Sequence, residues 1–123
     1  MGSVATISNP TYTPHLEVKG NCSLAGRLKI SGAKNSALVL MAASLLTEEM
    51  LEIKNIPSLS DVEVMGSILI KMGVKIKREA NTLWINPKDL HHIALPKELV
   101  HRLRASFFCI GPLLAKLGQA KVP

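Results

Sequence analysis

Residues Ser36 to Leu46 read Ser-Ala-Leu-Val-Leu-Met-Ala-Ala-Ser-Leu-Leu, a helix-forming stretch with almost no polar face. A helix on the surface of a protein keeps one polar stripe for water; a helix apolar all round has to be covered all round. The strand-like segments read the opposite way. Leu16–Lys19, Arg27–Ile30, Leu51–Lys54, Val74–Lys77 and Leu83–Asn86 each alternate apolar and polar residues. Period-two alternation gives a strand one buried and one wet face. Strands sandwiched between two helical layers are apolar throughout instead. A dry helix together with half-wet strands therefore predicts helices inside and strands as an outer wall.

The remaining elements fit one such unit. Ser60-Asp61-Val62-Glu63 has the form of a capping box, with Ser60 as N-cap. The helix it opens runs to about Met72, stops at Gly73, and carries Val62, Met65, Leu69 and Met72 as an apolar stripe. A hairpin, Val74–Arg78 and Leu83–Asn86, turns around Ala80-Asn81-Thr82. The order is βαβαββ. A last helix starts at Pro96, presents Leu99, Leu103, Phe107 and Ile110 on one face, and breaks or kinks at Gly111-Pro112. Within it, Glu98 stands four residues before Arg102, the spacing of a surface ion pair. Arg104 has Val100 and Phe108 as its neighbours at four residues. A charge among apolar groups needs a partner, either a carboxylate from elsewhere or a bound anion.

A net charge of +6 and a pI near 9.6 point to an anionic partner without naming it. Most of the excess lies on wet strand faces, at Lys19, Arg27, Lys29, Lys54, Lys75 and Lys77. No aromatic residues interleave with these cations, which argues against a single-stranded nucleic-acid platform. Cys22 and Cys109 form no disulfide framework and no metal spacing, as expected of a reducing, cytoplasmic setting. His91-His92 lacks further ligands at metal spacing and reads as a pair of loop histidines. The longest apolar runs, Ala37–Ala43 and Phe107–Gly111, are too short to span a bilayer. Residues 1–14, rich in Ser, Thr, Pro and Asn, read as a disordered tail without the pattern of a secretory signal.

The stretch Ile30-Ser31-Gly32-Ala33-Lys34-Asn35-Ser36-Ala37-Leu38 reads as a strand end, a tight turn at Gly32 and a helix start. Unpaired N–H groups and a partial positive charge make a helix N-terminus favourable for anions. Lys34 adds a full charge there. The Gly-rich spacing of a P-loop is absent, so by spacing alone Lys34 is a solvated lysine at a helix start.

This stretch resembles the first motif of the UDP-N-acetylglucosamine enolpyruvyl (1-carboxyvinyl) transferases. Asn55-Ile56-Pro57 followed by Leu59-Ser60-Asp61-Val62 is similar to the family as well. So is Glu98-Leu99-Val100 with Leu103-Arg104-Ala105-Ser106-Phe107 and Gly111-Pro112-Leu113-Leu114-Ala115. The resemblance covers roughly Leu16 to Pro123, in order. The sister family of the shikimate pathway typically has Lys-Ser where this chain has Lys34-Asn35.

The resemblance implies an inside-out α/β barrel of βαβαββ units, here one unit and the start of a second. Residues 15–33 would be strands that pack with the second domain of the family, and 34–123 an incomplete first domain. It implies transfer of enolpyruvate from phosphoenolpyruvate to the 3-hydroxyl of UDP-N-acetylglucosamine, in the first committed step of peptidoglycan precursor synthesis, with no cofactor and no metal. Lys34 and Asn35 would bind phosphoenolpyruvate, and Arg104 the sugar nucleotide. The family's general-acid cysteine lies in a Leu-Pro-Gly-Gly-Cys loop that would follow Pro123. Neither Cys22 nor Cys109 aligns with it, so the 123-residue chain alone is expected to be inactive and to self-associate through an uncovered apolar patch. A non-catalytic binder of a sugar nucleotide or other anion, and a basic nucleic-acid interaction domain, are the rival classes.

Overall fold

A computed structural model describes residues 15–91 and 94–123. The expected tail over residues 1–14, and His92 of the histidine pair, lie outside the described residues.

Among the described residues four helices and three strands follow the order α1 (Lys34–Ala43), β1 (Leu51–Ile53), α2 (Ser60–Lys71), β2 (Lys75–Glu79), β3 (Thr82–Asn86), α3 (Lys97–Val100) and α4 (Ile110–Leu117). Short 3-10 turns, Ser44–Leu46 and Arg104–Cys109, extend α1 and lead into α4. The strands form one antiparallel sheet in the order β1-β3-β2, with Leu51 opposite Ile85 and Ile76 opposite the same Ile85 from the other side. Alternation sorts the faces as expected. Leu83 and Ile85 are buried with Met65, Ile68 and Leu69 of α2 and Leu38 and Met41 of α1. Glu52 and Lys77 flank Trp84 on the opposite, wet face. The result is a mixed α/β structure with its helices on one side of a small sheet.

The stripe of α2 is the core: Val62, Met65, Ile68, Leu69 and Met72 are all essentially inaccessible. The helix ends where Gly73 takes φ +101, and the Val74 amide donates back to the Leu69 carbonyl at 3.0 Å. A side chain at Gly73 would also collide with the Asp89 carbonyl and the His91 ring.

Several expectations are corrected. The alternating segments Leu16–Lys19 and Arg27–Ile30 form no strands here; Leu16, Val18, Leu28 and Ile30 stand 79% or more exposed. Alternation says which face a strand would bury but supplies no neighbour, and a strand without a ladder partner has no sheet to join. Helix α1 is buried on one side only, at Ala37, Leu38, Met41 and Ala42, while Val39 and Leu40 are about half exposed. Ser60 is the first helical residue rather than the cap: Leu59 is the N-cap, with no side-chain cap bond. Glu63 is drawn away to Arg78, whose Nη1 lies 2.6 Å from its carboxylate.

The C-terminal helix is also divided differently. It breaks at Leu103, before Gly111-Pro112, and Pro112 falls in the first turn of α4, where a missing N–H costs no helical bond. That break dissolves the expected apolar face: Leu103 is buried but Phe107 is 56% exposed. Beyond α4, Ala94 and Lys121 form an isolated parallel bridge, and the Leu95 amide donates to the Lys121 carbonyl at 3.0 Å.

Candidate functional site

Gly32 begins the site. Any Cβ at this position would overlap the backbone carbonyl of Asn55, itself held at φ 59. The lack of a side chain lets the entry to α1 lie directly against the loop that enters α2, where Ile56 and Pro57 are buried. Ile56 is tied in turn to the hairpin, its amide donating to the Asn81 carbonyl at 2.8 Å. Two helix N-termini thereby converge. Lys34 is the first residue of α1 and Asp61 the second of α2, and their side chains pair at 2.7 Å. No side chain caps α1 and no acidic residue stands in its first turn, so its leading amides remain available to an anion.

Opposite these N-termini runs the segment between α3 and α4. Lys34, Asn35, Leu38, Asp61, Arg102, Leu103, Arg104 and Ala105 line one cleft of about 310 Å³. Thus the three residues picked from the sequence, Lys34, Asn35 and Arg104, come together although 69 positions separate Asn35 from Arg104. Two lining residues were missed. In the sequence Asp61 stands in a capping box and in the Leu59–Val62 motif without a role in the site, and Arg102 as the partner of Glu98. No Glu98–Arg102 pair forms among the described residues; the expected spacing requires a continuous helix, and α3 ends at Val100. Arg104 is exposed rather than embedded among Val100 and Phe108, and neither arginine has a carboxylate within ion-pair distance among the described residues. Three cations against one carboxylate leave the cleft electropositive.

A larger cavity of about 410 Å³ opens between Met50, Lys75, Ile76, Lys77, Trp84 and Asn86. Its two lysines already have carboxylates, Lys75 with Asp89 and Lys77 with Glu79, each at 2.6 Å. Lys77 also stands 5.8 Å from the Trp84 ring centre. Charge compensated in this way attracts an anion less strongly than the unpaired guanidinium groups of the smaller cleft.

Neither cysteine reaches the cleft. Cys22 is exposed; Cys109 is buried, its Sγ 3.9 Å from Met65 Sδ, and burial pushes its thiol up to about 12. Among the described residues no three His, Cys, Asp or Glu side chains gather as a metal site, and no helix is long and apolar enough to cross a membrane.

Comparison with known proteins bears on the same segments. Residues 18–123 match the family model described as EPSP synthase (3-phosphoshikimate 1-carboxyvinyltransferase). Over all 123 residues the chain is 58% identical to a UDP-N-acetylglucosamine 1-carboxyvinyltransferase of Prochlorococcus marinus (strain NATL1A), and it spans about 27% of that relative's length. It is 50% identical, again over its whole length, to the protein of the same name from Synechococcus sp. (strain CC9605), covering 28% of it. The crystal structure of the enolpyruvyl transferase NikO from Streptomyces tendae superposes with a TM-score of 0.67 at 25% identity, over 74% of this chain and 21% of that one. With its residues from 18 onward matched by the family model, and a solved enolpyruvyl transferase sharing its fold, the chain belongs to the EPSP synthase family of enolpyruvyl transferases.

Proposed function

We propose that the cleft between the N-termini of α1 and α2 and the Arg102–Ala105 segment is the substrate-binding part of an enolpyruvyl transferase acting on UDP-N-acetylglucosamine. The observation that carries this reading is the convergence of Lys34, Asn35 and Arg104 on one electropositive cleft. Lys34 and Asn35, at the uncapped start of α1, take phosphoenolpyruvate; Arg104 takes the sugar nucleotide. In the reaction the sugar 3-hydroxyl, losing its proton, adds to the central carbon of phosphoenolpyruvate while an acid protonates the methylene to a methyl group; the C–O bond to phosphate then breaks as the methyl group gives up a proton and the double bond re-forms. Fixed cations at the phosphate stabilise the charge that collects on the leaving group.

The residues lining the cleft supply binding and charge. Among the described residues that line the cleft, the one carboxyl group, Asp61, is engaged by Lys34, and Cys109 is buried away from the cleft. Among the described residues of the cleft, then, the side chains bind and hold charge, and the proton donor is not one of them. In this reading the protein works in the cytoplasm, in peptidoglycan precursor synthesis. Residues 15–33 gain strand partners from a second domain, and the uncovered apolar side chains of α1 make the isolated chain self-associate.

Calorimetric titration of the full chain tests the site. UDP-N-acetylglucosamine and phosphoenolpyruvate should bind, with Arg104→Ala weakening the first and Lys34→Ala the second by roughly tenfold or more, as expected for loss of a hydrogen bond to a charged group. Steeply salt-dependent binding of RNA or DNA, unaffected by Lys34→Ala, would overturn the reading in favour of a nucleic-acid partner.

A further inference from the structure

Two residues apart on a helix, side chains point to different sides, about 200° around the axis. A continuous helix from Pro96 onward would therefore separate Arg102 from Arg104 and leave only one of them in the cleft. The chain does something else. Leu103 leaves the helical region, at φ −142 and ψ 102, between the end of α3 and the following 3-10 turn. In an extended residue the period is two, so the flanking side chains share a side and the central one faces away. Leu103 is 4% exposed, anchored in the core, and both arginines line the cleft.

We infer that Arg102 is a second guanidinium for the sugar nucleotide, acting with Arg104 on its diphosphate. The inference rests on the sugar-nucleotide reading of the cleft. Two considerations assign the pair to a diphosphate. First, Lys34 is matched by Asp61, whereas both guanidinium groups lack a carboxylate partner among the described residues; the unmet positive charge therefore lies on the arginine side. Second, each guanidinium presents a planar fork that fits two oxygens of one phosphoryl group. Two forks on adjacent alternate positions match two linked phosphoryl groups better than a single one. The extended Leu103 is the device that creates the pair, and its burial keeps the pair in register.

The test is titration of UDP-N-acetylglucosamine, and of UDP alone, into the full chain and its Arg102→Ala, Arg102→Lys and Arg104→Ala variants at several salt concentrations. Arg102→Ala should weaken both ligands roughly tenfold, and the affinity should depend less steeply on salt because one cation no longer faces the phosphates. Arg102→Lys should recover part of the loss, since it restores the charge but not the fork. Arg102 is exposed, so the thermal melt should not move; if Arg102→Ala does lower it, Arg102→Lys carries the comparison. Unchanged affinity and salt dependence in Arg102→Ala, alongside weakened binding in Arg104→Ala, would overturn the inference while leaving the sugar-nucleotide reading intact. Absence of binding by the unsubstituted chain would overturn both.

Discussion

Lys34 Nζ lies 2.7 Å from the Asp61 carboxylate, bridging the first turns of α1 and α2. Both side chains are partly exposed, at 47% and 32%. Pairs this wet are screened by solvent and contribute about 0–1 kcal/mol. The pair's effect on ligands is larger than its effect on folding, because an incoming anion competes with Asp61 for Lys34. Asp61 is also favoured where it stands by the partial positive charge of the α2 N-terminus.

Replacing Asp61 by Asn should therefore do little to stability and more to binding. Urea denaturation of Asp61→Asn should stay within about 1 kcal/mol of the unsubstituted chain. Inorganic phosphate, titrated as the simplest anion, should bind a few-fold more tightly. Weaker phosphate binding would show that Asp61 orients Lys34 rather than competing for it.

Arg78 supports the other side of the α2 entry. Its Nη1 pairs with Glu63 at 2.6 Å, its Nη2 donates to the Pro57 carbonyl and its Nε to the Ala80 carbonyl, each at 3.2 Å. The side chain is only 21% exposed. Arg78→Ala should cost about 1–3 kcal/mol, because it removes three donors and the packing of the stem. Glu63→Ala should cost less than about 1 kcal/mol, since Glu63 is 62% exposed and water replaces it. Paired denaturation curves measure the asymmetry; equal losses would mean that the ion pair, rather than the backbone contacts, holds the loop.

Much of this was readable in the sequence, for definite reasons. The α2 stripe and the β2–β3 hairpin are local patterns whose partners stand next to them in the chain, so period and turn sufficed. Lys34, Asn35 and Arg104 were found through a family resemblance, since composition and spacing alone left Lys34 a solvated lysine. The extended conformation of Leu103 was not readable: its neighbours are good helix formers, and no Pro or Gly marks its departure from the helix. Arg102 was missed with it, because its apparent pairing with Glu98 assumed a helix that stops at Val100. The segments before Gly32 form no strands in this structure for another reason: alternation describes a strand, but pairing is a property of the neighbours.

The uncovered side of α1 has a consequence in solution. Val39 and Leu40 are 46% and 50% exposed, with Leu46 at 57% and Leu114 at 49%. Apolar side chains clustered on elements that already pack together drive association when nothing covers them. Sedimentation of the 123-residue chain should show concentration-dependent oligomers, and Leu40→Glu should shift them toward monomer with the fold retained by circular dichroism. A monodisperse monomer across the micromolar range would overturn this expectation.

The two cysteines should behave as different chemical groups. Cys22 is exposed, while Cys109 has no accessible surface and its thiol is pushed by burial from 9.0 up to about 12. The thiolate is the reactive species, so under native conditions near pH 8 a disulfide reagent should titrate one thiol promptly, and the second only after denaturation. The same burial links folding to pH with a definite sign. Below about pH 9 the thiol is protonated in both the folded and the unfolded chain, and its contribution to stability is fully present. Above that, the unfolded chain releases the proton while the folded chain holds it until about 12. The contribution is therefore lost progressively as pH rises through this window. Cys109→Ala should remove that part of the alkaline decline while costing stability at neutral pH through the cavity beside Met65. Equal labelling of both thiols in the native chain, or an alkaline profile unchanged by Cys109→Ala, would show that the site opens to water in the folded state.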